Sequence, residues 1–322
     1  MSKEKEADKR PPLFFCTSSP HTITWKGGIE QSMLLQILIS GLVIGSIYGL
    51  IALGYSLIYK ASGLMSFMQG DLLTVGAFLG YTLYGVLKVP FFLTLIIVVV
   101  FVFALGFLIE RGVISRLVKK GVLPIYTVLA TIAISYILQN GSMLVFGSDM
   151  KGYPQIFKIA TINLFGRSFQ MEAILCIGAS LLIMLVFNLF MNHTSLGTAM
   201  RASAMDPMAA RSCGIDVGFA TGLSWAIAAG IAALAGMLIG PVYGVYTTLG
   251  AVIGRKGFSS AVIGGFGNML GAIVGGLLLG IIETVLSAYV SSAYKDMIAY
   301  ALLLLFLFVK PTGLFNERAI AD

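Results

Sequence analysis

Charge is scarce in this sequence. Of 322 residues only 11% are charged, against 58% hydrophobic, and the mean hydropathy is +0.94. A soluble domain has too little interior to bury that much apolar surface, so the chain is read as a polytopic membrane protein. Histidine is almost missing: His21 lies in a polar N-terminal stretch and His193 at the edge of a hydrophobic run. That leaves no basis for a His-centred catalytic or metal site, and no catalytic or metal-binding residue is assigned. The three cysteines, Cys16, Cys176 and Cys213, fall far apart, with neither disulfide nor metal spacing. No GxxxxGK[ST] phosphate loop occurs, so any ATP dependence has to come from a partner, and no cofactor is expected.

Proline is sparse at 9 residues, whereas glycine is abundant at 38. Glycine at that frequency suits transmembrane helices whose backbones approach closely. The formal net charge of +7, from 21 basic and 14 acidic residues, is not gathered into one patch with interleaved aromatics. Nucleic acid is therefore not an expected partner; a lipid bilayer is, with basic loops setting orientation.

Residues 1–32 are polar and lack the apolar core of a signal peptide, so they are read as a disordered tail. The hydrophobic pattern begins abruptly after Met33, which fits a translation start there. Apolar runs follow at 34–58, 70–87, 90–109, 123–146, 172–190, 217–243, 270–288 and 297–310. These predict an all-α fold of about eight transmembrane helices. Residues 33–315 form the transmembrane domain and 316–322 a short C-terminal tail. The first run carries Gly41, Gly45 and Gly49 at intervals of four, a strip on which a neighbouring helix packs.

The strongest basic cluster is Arg111, Arg116, Lys119 and Lys120, which places the loop at 110–122 in the cytoplasm. Counting spans in both directions puts the N-terminus and the loop at 147–171 outside, and the central loop at 192–216 inside. Lys151, Lys158 and Arg167 in the outer loop run against the charge rule. Residues 254–269 contain an apolar run too short to cross. They predict a half-helix from Phe258 to about Ile263, followed by extended chain at Gly264, Gly265, Gly267 and Asn268. Irregular backbone at membrane depth survives only where protein or a water-filled cavity satisfies it, so this break is expected to line the pathway.

Glu283 is the one carboxylate well inside a hydrophobic run. Such a residue either marks a pathway or proton relay, or makes an interhelical hydrogen bond. Gln69 and Asp71 lie at a membrane edge, where Asp71 either favours a helix N-terminus or serves the pathway. Arg255 and Lys256 are read at an external mouth, either attracting a carboxylate or anchoring the chain among lipid headgroups. Gln139, Asn140 and Asn188 are read as interhelical hydrogen-bonding groups.

The stretch with the most local definition is GTAMRASAMDPMAARSCG, Gly197 to Gly214. Asp206 suits the N-cap of a helix, Pro207 its first position and Gly214 its left-handed close. They predict a helix of about two turns whose Ala209 and Ala210 let its backbone seat in a groove of another protein.

Several stretches in order resemble one family: GLVIGSIYGLIALGYSLIYK at 41–60, SFMQGD at 66–71, RASAMDPMAARSCGI at 201–215, KGFSSAVIGGFGNMLGAIVGGLLLGIIE at 256–283, and SAYKDM followed by KPTG within 292–313. From Met33 to Phe315 the chain resembles the LivH-type inner-membrane permease subunits of branched-chain amino acid ABC importers. The resemblance implies a transport subunit rather than an enzyme, sited in the cell inner membrane. Implied partners are a second homologous permease, two ABC ATPase subunits and an extracytoplasmic substrate-binding protein. It further implies that Arg201, Asp206, Pro207, Met208, Ala209, Ala210 and Gly214 form a cytoplasmic coupling helix docked on an ATPase. Met208 stands where the family commonly has Glu, and Ser66 and Met68 where it commonly has Asn and Ala. Relatives of the same fold carry urea or short amides. A reading from another class is a proton-coupled secondary transporter using Glu283 and Asp71, against which stand the capped central loop and the lack of recognisable inverted repeats.

Overall fold

The computed structural model describes residues 26–154, 156, 161–164, 167–289, 294–310 and 312–315. Residues 1–25 and the expected C-terminal tail 316–322 lie outside these. Twelve α-helices follow one another: α1 (Lys26–Ser62), α2 (Gln69–Gly80), α3 (Phe91–Ile109), α4 (Ser115–Lys119), α5 (Pro124–Phe146), α6 (Met171–His193), α7 (Ser195–Met205), α8 (Pro207–Ser212), α9 (Val217–Tyr243), α10 (Leu249–Gly264), α11 (Met269–Tyr289) and α12 (Lys295–Val309). Two π-helical turns, Tyr81–Val86 and Glu110–Ile114, extend α2 and join α3 to α4. Strands β1 (Thr161–Leu164) and β2 (Arg167–Gln170) pair as an antiparallel hairpin, with Thr161 opposite Gln170.

All eight hydrophobic runs are helical, as an all-α polytopic membrane protein requires. Six helices among the described residues are long and apolar enough to cross a bilayer: Leu34–Ser62, Phe91–Lys119, Pro124–Phe146, Met171–His193, Val217–Tyr243 and Met269–Tyr289. Helices α2 and α12 are shorter. The half-helix expected from Phe258 is instead 16 residues of continuous helix, Leu249–Gly264. At 1.5 Å per residue it spans roughly 24 Å. Hydropathy missed its first half because Arg255 and Lys256 sit in mid-helix rather than at a mouth.

Burial divides the bundle into an inner and an outer set. Helices α1 and α9 are mostly enclosed, whereas α3 and α5 turn large apolar side chains outward. Leu144 is 88% exposed and Phe308, on α12, 95%. In water such faces would drive association; in a bilayer they meet acyl chains of the same polarity.

Lipid offers helices no hydrophobic reason to associate, so close packing has to hold them. The glycine strip does this. A Cβ at Gly45 would sit 3.0 Å from the Cα of Leu277 and 3.1 Å from the carbonyl oxygen of Gly276; one at Gly41 would sit 3.0 Å from the Cα of Ile281. From the other side, Gly276 and Gly280 of α11 press on the backbone of Gly49 and Gly45.

Overpacking a tight contact costs about 1–3 kcal/mol or more. Gly276→Val is expected to lower the thermal unfolding midpoint of the detergent-solubilised protein by at least that free energy. Gly178→Ala, where a Cβ meets nothing within 4 Å, is expected to leave the midpoint unchanged or raise it.

Candidate functional site

The backbone break at membrane depth lies between α1 and α2. Gly63, at φ +67°, turns the chain out of α1, and residues 64–68 run back into the bundle without helical bonds. Phe67 packs against Phe258, whose ring is 5.7 Å from that of Tyr55. Tyr55 precedes the end of α1 by seven residues, so α2 begins roughly 10 Å inside the helix end. Protein groups satisfy part of the irregular chain, although Ser66 Oγ and Gln69 Oε1 are buried without partners among the described residues: the Phe67 amide donates to Thr131 Oγ1 of α5 at 3.1 Å. Gln69 Nε2 donates to the Ala228 carbonyl at 2.6 Å, and Gly54 leaves the room in which that amide sits.

Asp71 stands in the first turn of α2, where the helix dipole favours an acid. It is 2% exposed. Its Oδ2 accepts a hydrogen bond from Ser135 Oγ of α5, while its Oδ1 is buried without a partner among the described residues. The carboxylate faces a cavity of about 460 Å³ whose walls include Phe67, Ser135, Gln139, Arg255 and Leu303.

Glu283 and Lys256 belong together: Glu283 is buried within α11, as its place in a hydrophobic run implied, whereas Lys256 is not at a mouth. Lys256, 1% exposed, reaches from mid-α10 to Glu283 Oε1 at 2.5 Å and Asp296 Oδ1 at 2.7 Å. Lys295 lies 3.7 Å from the same Glu283 oxygen, and the Tyr48 ring is 5.9 Å from the Lys256 ammonium. Two cations and two carboxylates thus form a neutral cluster clamping α10, α11 and α12. Lys256 is a buried partner rather than a cation at an external mouth, and Glu283 is ion-paired rather than held by an uncharged hydrogen bond. The neighbouring Arg255 is exposed and lines the cavity.

Gly264, Gly265, Gly267 and Asn268 do not line that cavity. They make a compact joint: Gly265 and Gly267 take φ of +109° and +90°. The Leu314 amide donates to the Ile263 carbonyl at 2.9 Å, and Asn268 Oδ1 accepts from the Gly271 amide at 3.0 Å. The chain reverses here instead of running extended, because two glycines with positive φ allow a tight turn. Tyr59, near the end of α1, lies against Phe266 with ring centroids 4.9 Å apart. The joint therefore sits at the same end of the bundle as the basic loop.

The central stretch folds as two helices rather than one. Thr194 Oγ1 accepts from the Gly197 amide at 3.1 Å and starts α7. Asp206 Oδ1 accepts from the amides of Met208 and Ala209 at 2.8 and 3.0 Å and starts α8. Pro207 opens α8 and Gly214, at φ +81°, ends the turn after it. Met205 and Met208 are 71% and 79% exposed, and Ala209 is exposed beside them. Ala210 is buried at 4%, so it seats α8 on its own protein instead of facing a partner. Arg201 braces the elbow, its guanidinium donating to Thr198 Oγ1 at 3.4 Å and Asn192 Oδ1 at 3.5 Å.

Residues 37–307 match the family described as branched-chain amino acid transport system / permease component. The high-affinity branched-chain amino acid transport system permease protein LivH of Escherichia coli K12 is 35% identical over 300 residues, covering 89% of this chain and 96% of that protein. This chain belongs to that permease family. The high-affinity branched-chain amino acid transport system permease protein BraD of Pseudomonas aeruginosa is 32% identical over 89% of this chain and 97% of its own. A probable branched-chain amino acid transport permease protein LivH of Methanocaldococcus jannaschii is 28% identical over 89% and 93%. A solved structure of PsaBC from Streptococcus pneumoniae in complex with Fab aligns at a TM-score of 0.49 and 15% identity, over 89% of this chain and 95% of that one, too loosely to bear on the site.

The permease's cavity includes residues that sequence reading passed over, Ser135 above all. A signal was there: Thr127, Thr131, Ser135 and Gln139 recur every four residues, a polar stripe along an otherwise lipid-facing helix. Thr127 and Thr131 are buried, and Ser135 and Gln139 face the cavity. Asn140 and Asn188 bond within their own helices, to the Tyr136 carbonyl and to Asn192, rather than across to others.

Removing one partner of a buried ion pair strands the other and costs about 3–5 kcal/mol, whereas removing both costs much less. Glu283→Gln is expected to lower the permease's thermal stability sharply. Glu283→Leu combined with Lys256→Met is expected to recover part of the loss, as a double-mutant cycle on unfolding midpoints reads out.

Proposed function

We propose that the permease is the membrane-spanning subunit of an ATP-driven ABC importer of branched-chain amino acids in the cell inner membrane. An extracytoplasmic binding protein delivers the solute, a second homologous permease completes the pathway, and two ATPase subunits supply the energy. The observation that carries this reading is α8: a short helix fixed at both ends by Asp206 and Gly214, seated through Ala210, and offering Met208 and Ala209 to a partner beside Met205 at the end of α7. It lies at the end of the bundle bearing Arg111, Arg116, Lys119 and Lys120, which the positive-inside rule assigns to the cytoplasm together with 192–216. Met208 presents a soft apolar side chain at the position where relatives carry a charge, so shape rather than charge governs this contact.

The ion pair of Glu283 with Lys256 weakens the rival proton-coupled reading, since that carboxylate is already committed to a buried cation. Uptake that survives loss of the partner ATPase but collapses with the proton gradient would restore the rival. Competition by urea or short amides against labelled leucine separates the family's other cargoes.

Ala209→Trp is expected to abolish ATPase co-purification and reduce leucine uptake to background, with the amount of permease in the membrane unchanged. Asp206→Ala removes a cap worth about 1 kcal/mol and is expected to lower uptake only partly. Normal uptake by Ala209→Trp would sink the coupling role.

A further inference from the structure

The cavity beside Asp71 holds chemistry that the coupling reading leaves unused. Asp71 Oδ1 is buried and unpartnered among the described residues. Arg255 lines the same cavity, and no described carboxylate is in ion-pair contact with it. An anionic and a cationic group thus face one compartment without touching. Phe67, Ile132 and Leu303 supply apolar wall between and around them. The volume of about 460 Å³ falls within the roughly 300–1,000 Å³ typical of small-molecule sites. By contrast, Lys256 on the next position of α10 is buried and already paired with two carboxylates.

We propose that this cavity reads the zwitterionic head group of an aliphatic α-amino acid: Asp71 Oδ1 receives the ammonium, Arg255 receives the carboxylate, and the apolar wall receives the side chain. The proposal rests on the reading of the permease as an amino acid importer and gives that reading a second point of selectivity, inside the membrane. It separates amino acids from urea and short amides, which carry neither charge. Ser135 acts as a positioning residue, its hydroxyl holding Asp71 Oδ2 and leaving Oδ1 without a partner among the described residues.

The test uses the full chain with its partner subunits in native membranes, with Cys16 and Cys213 replaced by Ser and the buried Cys176 kept. Gln139→Cys places a thiol on the cavity wall for modification by a methanethiosulfonate. With L-leucine at ten times its half-protecting concentration, modification is expected to slow by about tenfold. The probes 3-methylbutylamine and 4-methylpentanoate each lack one charge, and each should need a concentration about tenfold higher or more, as loss of one charge-assisted contact implies. Asp71→Asn and Arg255→Gln should each raise the half-protecting leucine concentration by a similar factor, and Asp71→Glu should recover part of it. Should Asp71→Asn fail to accumulate, Arg255→Gln, an exchange of an exposed side chain, decides.

Equal protection by leucine and both analogues, or unchanged protection in both variants, overturns the proposal. Absent protection alongside uptake that still needs the ATPase removes the cavity site and leaves the importer reading standing. Protection alongside uptake that needs no ATPase does the reverse.

Discussion

Backbone pressed against backbone along α1 and α11 is the constraint on which the remaining geometry depends. Among lipids, two helices gain little from hiding apolar side chains, because the solvent is as apolar as they are. What distinguishes the native arrangement is contact density, and glycine on both faces gives the shortest axis separation. Gly41 and Gly45 against Gly276 and Gly280 therefore fix α11 in depth and rotation. That rotation turns Glu283 inward to meet Lys256. The same device recurs where Gly70 of α2 meets Gly250 and Gly254 of α10, and that contact brings Asp71 and Arg255 to one cavity.

Two polar arrangements thus sit inside one apolar bundle, and they are satisfied differently. Around Lys256 every charge has an opposite neighbour within a few ångströms, and the cluster sums to zero. Burial of such a set is tolerable because the mutual attraction offsets desolvation. Around Asp71 no described cation is in ion-pair contact, so its charge is not cancelled; as to hydrogen bonds alone the two carboxylates are alike, since Asp71 Oδ1 and Glu283 Oε2 both lack a partner among the described residues. A closed cluster holds helices together; an open one has capacity for something else. On the proposal of a zwitterion site, this difference in charge pairing, rather than the mere presence of charge at membrane depth, is what gives Glu283 a structural role and Asp71 a recognition role.

The sequence carried the fold well wherever the signal was local. Spans follow from hydropathy, the cap of α8 from Asp206 and Pro207, and the packing strip from glycines four apart. It failed where the decisive partner is distant. Nothing in the spacing of Lys256 and Glu283, 27 residues apart, tells that a reversal at Gly265–Gly267 folds them side by side. Glycine was also ambiguous: the run at 264–267 reads as broken helix, yet Gly264 and Gly271 allow close passage of two intact helices. The true interruption, at 64–68, hid beneath residues of ordinary hydropathy. The polar stripe of α5 was legible, yet only Gln139 drew notice, because Thr127, Thr131 and Ser135 each look unremarkable alone.

The placement of the interruption also bears on how a coupling helix could act at a distance. Helix α7 packs on both α1 and α9, and α8 rests on α9. Helix α1 ends where the irregular segment 63–68 begins, and that segment carries Phe67 to the cavity wall. On the importer reading, force applied at α8 enters elements that border the cavity without crossing the charged clamp. The clamp binds α10 to α11 and α12, and α2 packs on α9, so the Arg255 wall and the Asp71 wall meet where Gly70 lies against Gly250 and Gly254. On the importer reading, sliding of α2 against α10 at that glycine contact separates or joins the anionic and cationic ends of the cavity. Substrate affinity and helix position then become two aspects of one equilibrium, as any ligand-linked conformational change requires.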